Sequence, residues 1–346
     1  MAPVARGLIA RGGWPTLVLT GQHPHLDPRE FALGDFDVVR LGCPGEEDPH
    51  AHVRKVAQAL LPLLSDAPDL LVVQGDTSSA LGAALAGFMA KVPVAHVEAG
   101  LRTHDPLLPW PEEEYRVAID AHAQLLFAPT LQAAENLRAE QVPGAIHVTG
   151  NTSIDRLVAV EAELPPRTVR TGGRPRVLVA CHPHERWSEG LEQIATALTE
   201  LASDESADIE LILHPNPHVE SKMRRLLGQV SGISLIGPSD HADLVRRIRD
   251  SDLVLSDSGG IQEEALALGT PVLVLRDNTE RPEAVQSGNA LLVGTSAARI
   301  VTEAQRLLKD PIARVAMSRR AYPFGDGRAG ARIAAIIEEW LSKQEA

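Results

Sequence analysis

The chain contains 346 residues, which is more than one hydrophobic core usually supports, so two domains of ordinary size are expected. Hydrophobic residues make up 44% of it but aromatic residues only 3%, so the interior must consist mainly of Ala, Val, Leu and Ile. Such interiors are typical of helices packed on parallel sheets. The net charge of -13 argues against nucleic acid and anionic membrane surfaces as partners, because both require a basic surface.

The cysteine content and the apolar runs limit the cellular context. Cys43 and Cys181 give no disulfide framework and are interpreted as two buried or half-buried thiols, which fits a reducing cytoplasm. The longest apolar runs are interrupted by Gly, Lys and Pro and fall short of a membrane span, and the first residues lack the pattern of a signal peptide. The sequence therefore predicts a soluble, cytoplasmic protein.

The chain opens with a helical pattern rather than with a strand. Ala2, Val4, Leu8 and Ile9 recur at helical spacing, and two glycines at 12–13 close the segment. Short apolar runs then alternate with amphipathic stretches in two series, which predicts two doubly wound Rossmann-like α/β domains. The predicted strands lie within 16–20, 35–42, 69–76, 92–100, 123–130 and 145–151, and then within 175–182, 208–214, 233–237, 252–260 and 270–277.

The stretch "SDSGGIQEEALALG" is the clearest candidate ligand site. Ser258, Gly259 and Gly260 lie between a strand and a helix, where glycines let the backbone approach a ligand and the helix-start amides favour an anion. This pattern predicts a phosphate or diphosphate cradle, although glycine could serve the turn geometry alone. Glu264 is better placed for a sugar hydroxyl than for phosphate, and together with Glu263 it could simply stabilise the helix start.

Three carboxylates follow or flank strand ends in the first series. Asp76 ends "VVQGD", Glu98 follows the strand in "VPVAHVEAG", and Glu112 begins a helical stretch after "LLPWP". Carboxylates that converge in a cleft raise one another's pKa and can then exchange protons near neutral pH. The spacing is equally compatible with an acidic helix start at 112–114, and the hydroxyls at 77–79 are candidates for helix capping.

Histidines occur in close pairs at 23/25, 50/52, 182/184 and 214/218. A pair could chelate a metal, but these stretches contain proline and no third ligand at a diagnostic spacing, so no metal site is predicted. His182 is a candidate functional residue because it directly follows the strand "RVLVAC" at the edge where ligands should bind.

Taken together, these motifs resemble the non-hydrolysing UDP-N-acetylglucosamine 2-epimerases. The segments "VVQGDTSSALGAALAGFMAKVPVAHVEAGLRT", "PWPEEEYR", "VTGNTSIDRL", "SDSGGIQEEALALGTPVLVLRDNTERPEAV" and "FGDG" follow the order and spacing of that family over nearly the whole chain.

The resemblance implies a fold, a reaction and an assembly. It implies a GT-B fold of two Rossmann-like domains, 1–155 joined by the C-terminal helix 328–346 and a UDP-binding domain 156–327, with the active site in the cleft between them. It implies an isomerase that interconverts UDP-GlcNAc and UDP-ManNAc by anti elimination of UDP to a 2-acetamidoglucal and re-addition. It further implies a homodimer, and neither a metal nor a nicotinamide cofactor.

The resemblance also assigns candidate residues. The catalytic candidates are Asp76, Glu98, Glu112 and His182, without assignment of the C2 proton to one carboxylate. The substrate-binding candidates are Arg116, which follows the "PEE" element, Ser258, Gly259 and Gly260 at the phosphates, and Glu264 at the ribose.

Two segments depart from the family pattern near the nucleotide. The chain has "HPHER" at 182–186 where relatives usually have His-Arg-Arg-Glu-Asn, and "QHPH" at 22–25 where they usually have Gln-His-Arg. In bacterial members these regions help to form an allosteric site for a second UDP-GlcNAc. The departures predict weak or absent activation by substrate, and therefore hyperbolic kinetics.

The start of the chain departs as well. Family members begin with a strand and a Gly-Thr-Arg-Pro-Glu element before a helix that contains "KMAPV", whereas this chain starts at Met1-Ala2-Pro3. The comparison predicts that the central first strand is missing, through a start codon assigned too late. Its neighbours would then lack hydrogen-bonding partners.

Three alternative functions remain open at the sequence level. A hydrolysing epimerase would release ManNAc and UDP, and the "HP" at 182–183 slightly favours it. A GT-B glycosyltransferase would share the fold and the nucleotide cradle. A protein that binds UDP-sugars with impaired catalysis would result if the missing first segment is essential.

Overall fold

The computed structural model of the protein describes residues 1–23, 27–31, 33–66, 68–167, 172–181, 188–204, 207–214 and 216–344. The chain forms two compact units. Unit 1 comprises 1–156 and 324–346, and unit 2 comprises 157–323. Within the described ranges, no helix has both the length and the apolar character needed to cross a membrane.

Unit 1 alternates strands and helices in the order that the hydrophobic periodicity predicts. Its elements in chain order are α1 Ala2–Ile9, β1 Leu17–Leu19, β2 Val38–Arg40, α2 Pro49–Leu60, β3 Leu71–Gln74, α3 Ser78–Ala90, β4 Val94–Val97, α4 Glu112–Asp120, β5 Leu125–Ala128, α5 Leu131–Ala139, β6 Ala145–Val148, the start of α6 Thr152–Glu163, and α14 Ala329–Gln344.

The main sheet of unit 1 is parallel, with the strand order β3-β4-β5-β6. β4 and β5 are buried along their whole length, as expected for inner strands that are covered on both faces. On one face the core includes Val4 of α1 and Ile333 of α14, so the last helix packs in unit 1 together with the first.

β1 and β2 form a separate parallel pair. Among the described residues, no strand pairs with the second edge of β1 or of β3, so unit 1 contains two sheets rather than one. Val18 of β1 and Leu71 of β3 nevertheless pack against the same cluster of buried side chains. Burial of apolar side chains therefore stabilises β1 and β3, although the second edge of each is not paired with another strand among the described residues.

The elements of unit 2 in chain order are β7 Arg176–Ala180, α7 Ser188–Ser203, β8 Asp208–Ile212, α8 Pro217–Leu227, β9 Ile233–Ile236, α9 His241–Asp250, β10 Leu253–Ser256, α10 Gly259–Leu268, β11 Val272–Val274, α11 Pro282–Gln286, β12 Ala290–Leu292, α12 Ala297–Lys309 and α13 Pro311–Ala316. The strands form one parallel sheet with the order β12-β11-β10-β7-β8-β9, and buried residues on the helices and strands form a continuous core.

The observed strands lie within the predicted segments but are shorter. The segment 92–100 ends as a strand at Val97, because Glu98 has a positive φ, and the segment 252–260 ends at Ser256, before the helix that starts at Gly259. The short strand β12 was not predicted, since three apolar residues carry no readable periodicity.

Candidate functional site

Two of the predicted catalytic carboxylates lie at one edge of the unit 1 sheet. Gln74 of β3 is paired in register with Val97 of β4, and each strand ends there. Asp76 and Glu98 follow these two positions, so parallel pairing brings them to the same edge. A Cβ placed on Gly75 would lie 3.6 Å from Oε2 of Glu98, which puts the glutamate carboxylate against the turn that carries Asp76.

Glu98 has a strained backbone with a φ of 71°, in the left-handed region that side chains other than glycine rarely adopt. Such a conformation costs roughly 1–3 kcal/mol and is retained only where the surroundings impose it. Its N–H and that of Ala99 both donate to the carbonyl of Phe127, at 3.0 and 3.1 Å, and Asn151 Nδ2 donates to its Oε1 at 3.2 Å. Strain of this kind is characteristic of functional residues.

Asp76 is paired with Arg116 of α4. The Nε of Arg116 donates to Oδ2 of Asp76 at 3.0 Å, Nη2 contacts the same oxygen, and Nη1 donates to Glu113 at 2.9 Å. Arg116 is only 2% exposed. The arginine expected at the substrate is thus a buried counter-ion that fixes Asp76 at the sheet edge, and its contact with substrate stays a prediction.

Glu112 is the first residue of α4, one turn before Arg116. Its Oε2 is buried, and the structure gives that oxygen no hydrogen-bond partner within the described ranges. A buried carboxylate oxygen that lacks a donor is costly unless a ligand or water supplies one. Helix α4, whose Arg116 pairs with Asp76, therefore also carries a carboxylate oxygen with spare acceptor capacity.

Beneath this edge lies a buried charge network that the sequence analysis missed. The side chain of His96 on β4 is fully buried, with Nδ1 2.6 Å from Oδ1 of Asp120 and Nε2 2.9 Å from the carbonyl of Gly75. Burial alone would lower the pKa of His96, but the Asp120 charge and the hydrogen bonds to Asp120 and Gly75 raise it above 6.5. With both nitrogens donating, the imidazolium supports the loop just before Asp76.

Asp120 also supports the loop after Glu98. Its Oδ2 accepts from the backbone N–H of Gly100 at 3.0 Å and lies 2.8 Å from Nη2 of Arg102. Burial alone would raise the pKa of Asp120, but the His96 and Arg102 charges and their hydrogen bonds hold it below its usual range. The polar His96 inside the apolar strand "VPVAHV" was the available signal for this network.

The turn predicted to hold phosphate is formed as expected at the start of α10. Ser258 is the N-cap residue and makes no side-chain capping bond, and Gly259 and Gly260 are the first helical residues. A Cβ on Gly260 would meet nothing within 4 Å. There is thus open space beside the first turn of this ten-residue helix, where the first amides have no intrahelical acceptor and the positive end of the helix dipole lies.

Gly259 is needed for packing, which the sequence alone did not reveal. A Cβ there would lie 2.2 Å from Nη1 of Arg281. Arg281 is held by Glu263 at 2.6 Å and by Glu280. Glu264 accepts a 2.8 Å hydrogen bond from Nε2 of His241. The sequence analysis allowed Glu263 and Glu264 to serve only in stabilising the helix start. The structure shows that Glu263 forms a buried ion pair with Arg281.

The other predicted features have mixed outcomes. Thr77 caps α3 by accepting from the N–H of Ala80 at 3.1 Å, as the capping alternative expected. His182 and the whole "HPHER" segment lie outside the described residues, as do the last two residues of "QHPH" and 168–171 of the loop 165–176. Within the described ranges, no group of three or more His, Cys, Asp or Glu side chains could hold a metal ion.

Comparison with known proteins decides the family. A family profile for UDP-N-acetylglucosamine 2-epimerase matches residues 13–338. The UDP-N-acetylglucosamine 2-epimerase of Escherichia coli (strain K12) is 42% identical over 353 residues, which cover 96% of this chain and 93% of the relative. The chain belongs to the UDP-N-acetylglucosamine 2-epimerase family.

Solved structures of the epimerase family agree. The Neisseria meningitidis UDP-GlcNAc 2-epimerase bound to UDP-GlcNAc matches with a TM-score of 0.90 at 35% identity, over 99% of this chain and 96% of that one. The Methanocaldococcus jannaschii enzyme in complex with UDP-GlcNAc and UDP matches with a TM-score of 0.85 at 30% identity, over 98% and 95%. The predicted fold class, α/β of the GT-B type with two Rossmann-like units, is confirmed.

Proposed function

We propose that this protein catalyses the reversible C2 epimerisation of UDP-GlcNAc to UDP-ManNAc. The observation that carries the proposal is the placement of Asp76 and Glu98 at the ends of two paired strands, in a chain that belongs to the epimerase family. We further propose that the reaction is non-hydrolysing, that the enzyme works as a homodimer in the cytoplasm, and that it uses neither a metal nor a nicotinamide.

The proposed chemistry needs two proton transfers at C2 and one leaving group at C1. A carboxylate removes the C2 proton, the new double bond forms between C1 and C2, and the C1–O bond breaks with its electron pair passing to UDP. UDP then adds back to C1 of the 2-acetamidoglucal while a carboxyl group delivers a proton to the opposite face of C2. The candidates for these roles are Asp76, Glu98 and Glu112.

The carboxylates differ in their surroundings, which suits different roles. Asp76 is held by Arg116, and one oxygen of Glu98 accepts from Asn151, whereas Oε2 of Glu112 has no protein donor in the described ranges. In this proposal, substrate supplies the missing partner of Glu112. His182 acts near the leaving UDP.

The nucleotide half of the substrate is assigned to unit 2. The helix-start amides of Gly259 and Gly260 bind the diphosphate. Ser258 contributes its hydroxyl, because its own N–H donates to Ser256 Oγ at 3.1 Å, and Glu264 binds a ribose hydroxyl. Backbone amides and the helix dipole supply the positive field, so binding of an anion here does not depend on the net charge of the chain.

The test is to incubate the protein with UDP-GlcNAc in D2O and to follow the sugar by NMR. The expected product is UDP-ManNAc with deuterium at C2, because the carboxyl group that delivers the proton to the opposite face of C2 has exchanged that proton with solvent. Accumulation of free ManNAc and UDP would instead identify a hydrolysing enzyme. Calorimetric binding of UDP without any turnover would leave a UDP-sugar-binding protein and overturn the proposal.

A further inference from the structure

Unit 2 contains a cavity of about 490 Å³ at the edge where its strands begin. Asp252 and Pro271, which directly precede β10 and β11, lie in its wall. Ser258 lies beyond the other end of β10, and at about 3.3 Å per strand residue the six steps from Asp252 span roughly 20 Å. The cavity is therefore distinct from the turn assigned to the nucleotide.

Four arginines line this cavity: Arg167, Arg249, Arg314 and Arg320. The two acidic residues in the wall are already engaged. Glu161 is paired with Arg320, with one contact of 3.2 Å, and Oδ2 of Asp252 accepts from the backbone N–H at residue 176 at 2.9 Å. The lining consequently carries an excess of two positive charges in a chain whose net charge is -13.

Two of these guanidinium groups are anchored through part of their donors. Arg249 is 7% exposed and donates through Nη1 to the carbonyl of Pro165 at 2.7 Å and through Nε to Asp250 at 3.0 Å. Arg314 donates through Nη1 to the carbonyl of Leu308 at 3.3 Å, at the end of α12. A guanidinium has five N–H donors, so each retains donors beyond these contacts.

Arg167 has no ion pair within the described ranges of the chain. It is exposed, and its hydrogen bond among the described residues is a long one, 3.5 Å from Nη2 to the carbonyl of Ser251. The two wall hydroxyls are used within the protein, since Ser251 donates to the carbonyl of Arg247 and Ser318 to that of Arg314. The donors that remain for a ligand therefore come from guanidinium groups.

We propose that this cavity binds a small phosphate-bearing anion of about the size of a diphosphate. The planar fork of a guanidinium matches phosphate oxygens, and several arginines around one cavity can share the charge of one such group. The volume lies within the range of small-molecule sites, about 300–1,000 Å³. This inference does not depend on the proposed epimerase reaction.

The test is calorimetric titration of the full chain with inorganic pyrophosphate. Arg167→Gln and Arg320→Gln should each weaken binding about tenfold, which is about 1.4 kcal/mol, because each variant removes charge-assisted hydrogen bonds to the anion. Arg299→Gln is the matched control. This substitution removes the same charge from unit 2, and Arg299 is exposed and does not line the cavity. Thermal melts check that each variant is folded.

The outcomes are decisive in either direction. If pyrophosphate binds only at the nucleotide turn, the Arg167 and Arg320 variants will bind as the wild type does, and the proposal is wrong. If Arg299→Gln weakens pyrophosphate binding as much as the cavity variants do, the effect comes from the total charge of the protein and the proposal is wrong. If citrate binds as tightly as pyrophosphate, the site does not select phosphate and the proposal is also wrong. Turnover of UDP-GlcNAc plays no part in this readout.

Discussion

The main sheet of unit 1 and the sheet of unit 2 differ at the edges where their strands end. The edge of unit 1 carries carboxylates whose positions are set by buried charged side chains, with His96 and Asp120 below and Arg116 beside Asp76. The edge of unit 2 offers backbone amides at 259–260 and keeps its nearest arginine, Arg281, in ion pairs.

This difference matches the chemistry that each edge is proposed to perform. Proton transfer requires carboxylate atoms to be held within tenths of an ångström, and a network of buried charges can impose that precision. Diphosphate binding requires only donors and a positive field, which a helix start provides with two glycines. Substitutions in unit 1 should therefore affect turnover and folding strongly, and those in unit 2 should affect affinity.

Glu98→Gln tests the acid/base role of the strained glutamate and should have the largest effect. The amide keeps the size of the side chain but cannot take a proton, so kcat should fall about 10²–10⁴-fold, the usual contribution of general acid/base catalysis. Steady-state kinetics with UDP-GlcNAc measures this. Glu114→Gln is the control, because this glutamate in the first turn of α4 makes the same chemical change and is exposed. Retention of more than a tenth of the wild-type kcat would remove Glu98 from the mechanism.

Asp120→Asn should mainly reduce stability. It removes the negative charge that faces His96 and Arg102, and the loss of one partner from a buried pair costs about 3–5 kcal/mol. Urea unfolding measures the free energy. Asp35→Asn is the matched control: its side chain is 89% exposed and its ion pair is 3.8 Å long, so its cost should stay below about 1 kcal/mol. Similar costs for both would show that the network adds nothing.

Substitutions of Gly259 and Gly260 in unit 2 distinguish a packing role from a ligand-binding role. Gly259→Ala places a Cβ 2.2 Å from Arg281 Nη1, and overpacking of this kind costs about 1–3 kcal/mol of stability. Gly260→Ala has open space, and alanine is favoured over glycine in a helix by up to about 1 kcal/mol. Gly260→Ala should thus be stable. It should nevertheless bind UDP more weakly, because its methyl group extends into the open space beside the helix-start amides. Unchanged UDP affinity by calorimetry in Gly260→Ala would show that this turn is not the cradle.

The sequence could predict the elements and the residues at strand ends, because periodicity and parallel pairing place such residues at one edge. It could not predict the partners of those residues. The pairing of Arg116 with Asp76 spans forty positions and that of His96 with Asp120 spans twenty-four, and no local pattern encodes either contact. The positive φ of Glu98 was equally hidden, since nothing in its residue type requires it.

A smaller effect is the pH dependence that His96 contributes. Its pKa is raised in the folded state, so its stabilising contribution is fully present below its unfolded value near 6.5 and is lost as the pH rises through the folded pKa. The pKa of Asp120 is lowered, so its contribution is present above 3.8 and is lost at lower pH. The stability advantage of the wild type over His96→Gln should be largest between these values and should fall above pH 6.5. A flat difference from pH 5 to 8 in urea unfolding would exclude a charged His96.

The smallest expected effect distinguishes the two units most directly. Thr77→Ala removes the N-cap of α3 in unit 1, and Asp310→Ala removes that of α13 in unit 2, so each should cost about 1 kcal/mol. Thr77 follows Asp76 directly, and loss of its cap loosens the turn that aims this carboxylate. Only Thr77→Ala should therefore lower kcat, by a few-fold and at unchanged UDP affinity. Equal kcat values in the two variants would mean that the edge of unit 1 does not need its neighbouring helix to be anchored, and that Arg116 alone fixes Asp76.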